Sequence, residues 1–387
     1  MAVSDLTDLL RKAAETEKEW RAGTSPGFRA SMEAQKALVS VMEADPDLEE
    51  LHGEFLMLGA GGLGMKPRFM APRLIGIAMD YGVDRAIASL QDYLRVREWP
   101  ARYVTALRGV QCDQPTELAK GVKIIPYSSL DPKVETMAQV FKPENPHAAL
   151  VQECTVKRTR DPNLPNTVDV QTICDIALVL VLVNHSPVER GDSWYEFSPD
   201  APILLPSFRS EMYRRIRQGV PLDPFSLGPE ECEKAVKLCD CFLALQDKDK
   251  SWLRLVLIWL NDAMLELSRV EAAISLGIAL EALFFNKEEQ GEYQFRLGLR
   301  AAWFLGGDDV GKRRQIQETA RKAYKLRSDA VHTGKIKDYA TAGETLKEGF
   351  AIAAQAAEKV LRKGRPNWDT VTLGGDQTER QQQERGE

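Results

Sequence analysis

Cysteine, histidine and long apolar runs are all scarce in this sequence. Six cysteines stand apart at 112, 154, 174, 232, 239 and 241, with no CxxC pair and none of the four histidines at ligand spacing. That pattern leaves no expected zinc or other metal site and no cofactor, and the cysteines read as buried free thiols. The longest apolar runs, DIALVLVLV and LRLVLIWL, fall short of the roughly 20 residues that span a bilayer. No membrane association is expected. At the N-terminus, MAVSDLTDLLRKAAETEKEW lacks a basic stretch followed by an apolar one, so no secretory leader is expected and the cytoplasm is the expected location. A formal net charge of -6 gives no global attraction to nucleic acid; binding of that kind has to rest on a local patch.

What is present fits a packed, mainly α protein of two or three domains: 387 residues, 44% hydrophobic and 28% charged. Residues 1–110 read as an N-terminal, mainly helical region. Two amphipathic helices open it, the first with Leu6, Leu9, Leu10 and Ala13 on one side, and a further helix falls in GVDRAIASLQDYLRV. Residues 111–228 read as a mixed α/β region suited to a sensor or regulator. GVKIIPYSSL, ALVQECTV and TVDVQTI are its expected strands, FKPENP and TRDPNLPN the loops between them. DIALVLVLV is expected as a helix and SPVERGDSWYEFSPDAPILLP as an irregular crossing segment. Residues 229–364 read as a helical bundle, with helices near 229–246, 249–266, 268–285, 291–305, 309–332 and 342–363 and starts at Ser268 and Asp309. Residues 365–387 are polar and read as a disordered tail.

One motif is a decoy. FLMLGAGGLGMK sets Gly59, Gly61 and Gly64 in a GxGxxG pattern with Asp80 at about the dinucleotide-fold distance. The helix that such a loop must open would meet Pro67 and Pro72, which are expected to break it. Met65 separates Gly64 from Lys66, so a phosphate-binding P-loop is excluded too.

The stretch that carries chemistry is DVGKRRQIQETARKAYKLRSDAVHTGK, residues 309–335. Arg314, Arg321 and Lys325 recur within about 20° of one line on a helix, a basic stripe able to track a nucleic-acid backbone. Ala320, Tyr324, Arg327 and Val331 fall on a more apolar side, so Arg327 needs a carboxylate or phosphate partner, and Glu281 is the candidate acid. Tyr324 reads as core. His332 lies five residues on, about 140° around an unbroken helix. Convergence of the two needs either a turn near His332, with Gly334 as the helix cap, or a twofold copy of the chain.

Three successive stretches, EAAISLGIALEALFF, FRLGLRAAWFLGG and AYKLRSDAVHTGK, resemble the helices of an Apea-like HEPN domain. The resemblance covers about 65 residues, within a bundle of roughly 135. It implies a HEPN-type helical bundle and a metal-independent endoribonuclease built on an Arg-x4-6-His motif, often at a dimer interface. Carried over to this chain, the catalytic pair is Arg327 and His332, supported by Ser328, Asp329 and Glu281. Arg314, Arg321 and Lys325 are the candidate RNA-binding residues.

The implied partners are RNA, such as tRNA or another single-stranded loop, a second copy of the chain, and a phage-derived or antitoxin regulator. The implied setting is prokaryotic antiphage defence or a toxin-like system, with residues 1–228 sensing a trigger. The family has His-Gly where this chain has His332-Thr333-Gly334, which also leaves open a catalytically silent HEPN module for dimerisation or for RNA or nucleotide binding.

Overall fold

The computed structural model describes residues 3–24, 27–58, 61–130, 146–161, 168–205, 209–210, 222–285 and 291–373. In chain order the elements are α1 (Val3–Arg21), α2 (Gly27–Ala44), β1 (Phe55–Leu58), β2 (Gly61–Gly64), α3 (Pro67–Tyr81), α4 (Val83–Arg95), β3 (Glu98–Arg108), β4 (Val110–Cys112), β5 (Thr116–Ala119), β6 (Val122–Pro126) and β7 (Ala148–Thr159). Then follow α5 (Val170–Val179), α6 (Val181–Asn184), β8 (Glu189–Phe197), β9 (Arg209–Ser210), β10 (Phe225–Leu227), α7 (Pro229–Leu243), α8 (Asp247–Leu265), α9 (Arg269–Phe284), α10 (Tyr293–Gly306), α11 (Val310–Thr333), α12 (Tyr339–Lys363) and α13 (Trp368–Thr372). The fold is mainly α with a small sheet. Among the described residues no helix is long and apolar enough to cross a membrane.

Two compact units share these elements, the first drawn from Met1–Val104, Val151–Val170 and Asp192–Met212, the second from the remainder. Sequence patterns suggest regions laid end to end. The structure instead draws each unit from three separate stretches, because β3, β7 and β8 each contribute residues to both.

In the first unit, α1 to α4 bury Leu10, Leu38, Met42, Leu74 and Tyr93. Leu9, expected on the apolar side of α1, is only half-buried. The glycine-rich decoy is a β-hairpin: β1 and β2 pair antiparallel, with Phe55 opposite Gly64 and Leu58 opposite Gly61, while Gly59 lies outside the described residues. This hairpin, rather than a helix-breaking proline, removes the nucleotide-loop geometry.

Helix α3 does form, contrary to expectation. Pro67 occupies a first-turn position where no N–H is needed, and the interior Pro72 is tolerated among the buried Met70, Ala71, Leu74 and Ile75. A buried ion pair anchors the sheet side of this unit. Arg158 Nε lies 2.8 Å from Glu54 Oε2, its Nη1 donates to the Tyr93 carbonyl at 2.8 Å, and Trp99 stacks on Tyr93 with ring centroids 5.2 Å apart.

The second unit contains a parallel pair, β4 with β10, and the antiparallel β5–β6 pair, with β6 also bonded to β7. Its buried Arg108 and Glu189 bond at 2.5 Å. Two sequence expectations are corrected in this region. TVDVQTI runs into α5 rather than forming a strand, because Ile173, Ile176 and Ala177 bury one helical face. The expected irregular segment after DIALVLVLV contains β8, whose residues Ser193, Trp194 and Tyr195 are buried. DIALVLVLV itself is helical, as α5 and α6. FKPENP and TRDPNLPN fall largely outside the described residues.

Helices α7 to α12 make the bundle of the second unit, and α9 lies against α8, α11 and α12. Ser268 caps α9, accepting from the Glu271 amide, and Asp309 caps α11, accepting from the Lys312 amide at 3.0 Å. Gly334, at φ 66°, ends α11 in the left-handed conformation that glycine adopts without strain.

Residues 365–373 are ordered, contrary to the expected tail, whereas 374–387 lie outside the described residues. Asn367 caps α13, and Trp368, 1% exposed, packs against Phe284 and Phe304. Removing a large buried ring leaves a cavity, so Trp368→Ala is expected to lower unfolding free energy by about 3–5 kcal/mol. Urea unfolding followed by circular dichroism measures this; an unchanged midpoint would show that α13 does not belong to the core.

Candidate active site

Helices α9 and α11 build the site. Glu281 and Gly277 sit one turn apart on α9; Tyr324 and Arg327 sit one turn apart on α11 and face them. At Gly277 the backbone is close under the arginine stem: an added Cβ would collide with Cβ and Cγ of Arg327. The missing side chain is the seat on which the arginine lies.

Beyond that seat the guanidinium meets its acid. Arg327 Nη2 lies 3.2 Å from Glu281 Oε1, and the Tyr324 hydroxyl donates to the same oxygen at 2.6 Å. The Arg327 guanidinium also lies 5.7 Å from the Tyr324 ring centroid. Both charged side chains are half-buried, at 26% and 31% exposure, so solvent screens the pair only in part.

Burial pushes the Tyr324 phenol above its ordinary range, and its hydrogen bond to the Glu281 carboxylate reinforces the shift. Tyr324 therefore stays a proton donor to Glu281 at neutral pH and leaves the carboxylate free to hold Arg327. The Nε of Arg327 is sealed from solvent and has no hydrogen-bond partner among the described residues, and the bonds to Glu281 both come from Nη2, which leaves Nη1 as the donor a ligand can use. Glu281 thus fixes one edge of the guanidinium while part of its five-donor capacity stays unspent.

His332 is exposed in the last turn of α11. The helix ends one residue past His332, at Thr333, and Gly334 caps it in the left-handed conformation as its position predicts, so the backbone stays helical through His332. The Thr333 hydroxyl donates to the Asp329 carbonyl at 2.7 Å and accepts from the Lys335 amide at 3.3 Å, which closes this end of the helix. Within one chain, Arg327 and His332 therefore point about 140° apart and lie about 7.5 Å apart along the axis.

Ser328 and Asp329 are half-buried beside them, and an Asp329 oxygen lies 3.9 Å from Lys337 Nζ. Val331, expected on the apolar side with Tyr324, is 49% exposed; Ala320 and Tyr324 are buried. Arg314, Arg321 and Lys325 are all exposed on α11, as the stripe requires.

Gly277 carries a role that sequence reasoning missed. Its only signal is a small residue one helical turn before Glu281. Among the described residues no group of three or more His, Cys, Asp or Glu side chains is placed to hold a metal ion. Cys112, Cys154 and Cys239 are poor nucleophiles, since burial pushes Cys112 up to about 11 and Cys154 and Cys239 up to about 12. A scan against protein-family models and searches of curated proteins and of solved structures find no match to this chain.

Replacing an exposed helical glycine by alanine ordinarily stabilises a helix by about 1 kcal/mol. Here Gly277→Ala is expected to destabilise by about 1–3 kcal/mol, the cost of overpacking, because Arg327 has to leave its seat. Thermal unfolding reads the sign directly: a raised melting temperature would mean that Arg327 does not rest on α9.

Proposed function

We propose that the α7–α12 bundle is a HEPN-type, metal-independent endoribonuclease that works as a homodimer. The observation that carries this reading is the anchored Arg327, which keeps unspent donors, on the same helix as the exposed His332. The residue types suit transesterification of RNA. A histidine near neutral pH takes the proton of a ribose 2′-hydroxyl as that oxygen bonds to the adjacent phosphorus. Arginine, always charged, grips the phosphate and stabilises the charge that builds in the transition state.

The P–O5′ bond then breaks, and the leaving oxygen takes a proton from water, which the imidazolium formed in the first step replaces, so one arginine and one histidine suffice at each phosphate. A 2′,3′-cyclic phosphate remains on one fragment. DNA lacks the attacking hydroxyl, so RNA is the substrate, and single-stranded loops such as those of tRNA can reach the in-line geometry. A second copy supplies what one chain does not bring together, an arginine and a histidine on the same phosphate.

The setting in prokaryotic antiphage defence or a toxin-like system, with a phage-derived or antitoxin regulator, rests on the resemblance alone. A second reading, a silent HEPN module for dimerisation or for RNA or nucleotide binding, is favoured by the unbroken α11. That helix turns His332 away from Arg327, and Glu281 already supplies the arginine with a counter-ion.

Incubating total RNA with wild type, Arg327→Ala and His332→Ala in EDTA separates the two. The enzyme reading predicts fragments with cyclic-phosphate ends from wild type, and a rate lower by at least about 100-fold in either variant, the scale of a lost acid–base group. Fragments that persist undiminished in His332→Ala would refute the assignment.

A further inference from the structure

Next to this site an open cleft of about 530 Å³ is lined by Glu292, Tyr293, Gln294, Phe295 and Arg321. Two aromatic rings stand exposed in it, Tyr293 at 38% and Phe295 at 50%. A single exposed ring is ordinary; here two rings and an arginine share one open concavity, and each keeps exposed surface there although Tyr293 and the Arg321 stem also pack against neighbours. The cleft is also rigidly built. Gly298 lets the Arg321 stem lie against α10, where an added Cβ would come within 2.7 Å of Arg321 Cγ, and Gln294 donates to the Arg321 carbonyl at 3.1 Å. Tyr293 packs edge-on against Phe285, with ring centroids 5.2 Å apart.

The cleft adjoins the candidate active site. Tyr293 packs against Phe285, one turn past Glu281 at the end of α9, and Arg321 stands three residues before Tyr324 on α11. Along α11, Arg321 precedes Arg327 by about 9 Å and lies about 120° round the helix from it, so a single strand that reaches both has to wrap part of the way round α11.

We propose that this cleft is a nucleobase-stacking subsite for single-stranded RNA, with Phe295 and Tyr293 as the stacking faces and Arg321 on the neighbouring phosphate. The proposal deepens the ribonuclease reading and rests on it for the identity of the ligand. The chemistry favours an unpaired base over other occupants. Each ring offers a π-face that any base can cover, and Arg321 offers a bidentate grip on a phosphate oxygen pair. Glu292, on the same wall, repels a phosphate inside the cleft but accepts hydrogen bonds from a base's amino group. A duplex keeps its bases stacked on one another and has none to lend.

The test uses the full-length His332→Ala protein in EDTA, so that RNA stays intact, and titrates it into a fluorescein-labelled ten-nucleotide RNA of mixed sequence and into its duplex. The single strand is expected to bind and the duplex to bind more weakly. Adding Phe295→Ala should weaken single-strand binding by about 5- to 150-fold, the measured scale of one base–aromatic stack, without shifting the melting temperature. Phe295→Trp should keep the affinity and add emission that is quenched as RNA is titrated.

Equal affinity of the Phe295→Ala protein and its parent, or emission from Phe295→Trp that RNA leaves unchanged, would overturn the subsite. If wild type cleaves RNA while these binding differences are absent, the subsite falls alone. If the binding differences appear while wild type cleaves nothing, the subsite stands and the catalytic reading falls.

Discussion

The close approach of α9 and α11 around Arg327 is the contact on which the candidate site depends. A long cationic side chain half-buried between two helices is costly unless its stem packs and its charge is paired. Gly277 provides room for the stem and Glu281 provides the charge. Tyr324, buried and protonated, supplies Glu281 with a hydrogen bond that a more exposed carboxylate would take from water. Removing any one of the four would leave another without its partner. The same device recurs on α10, where Gly298 seats Arg321. Both arginines are thereby held by backbone shape rather than by ion pairing alone, which reduces the entropy lost when either takes hold of a ligand.

Much of the bundle was legible in the sequence because its signals are local. Ser268, Asp309 and Gly334 mark helix ends through hydrogen bonds to residues no more than four positions away, and all three cap as their residue types predict. The partnership of Arg327 with Glu281 was legible too, since helical spacing put Arg327 on an apolar side where a charge needs an acid.

The rest depended on distant parts of the chain. β8 reads as irregular because its buried Glu189 looks like a surface residue until Arg108 is seen beside it, 81 positions away in sequence. TVDVQTI has the β-branched composition of a strand, yet it enters α5, whose apolar face is set by tertiary packing. Trp368 is core only because Phe284 and Phe304 surround it. Gly277 was invisible for a related reason. In a helix, glycine reads as a weak point unless the side chain crossing above it is known.

The path of α11 decides how the candidate pair is arranged. Because the backbone stays helical from Arg327 through His332, the two side chains leave the helix about 140° apart, so the histidine points away from a phosphate that the arginine would hold. The proposed nuclease therefore needs a second copy, with Arg327 of one chain working with His332 of the other. Purified Arg327→Ala and His332→Ala chains, each inactive alone, test this when mixed under conditions that allow subunit exchange. The account predicts that cleavage returns in the mixture, because one composite site regains both groups; a mixture that stays silent while wild type cleaves would contradict it.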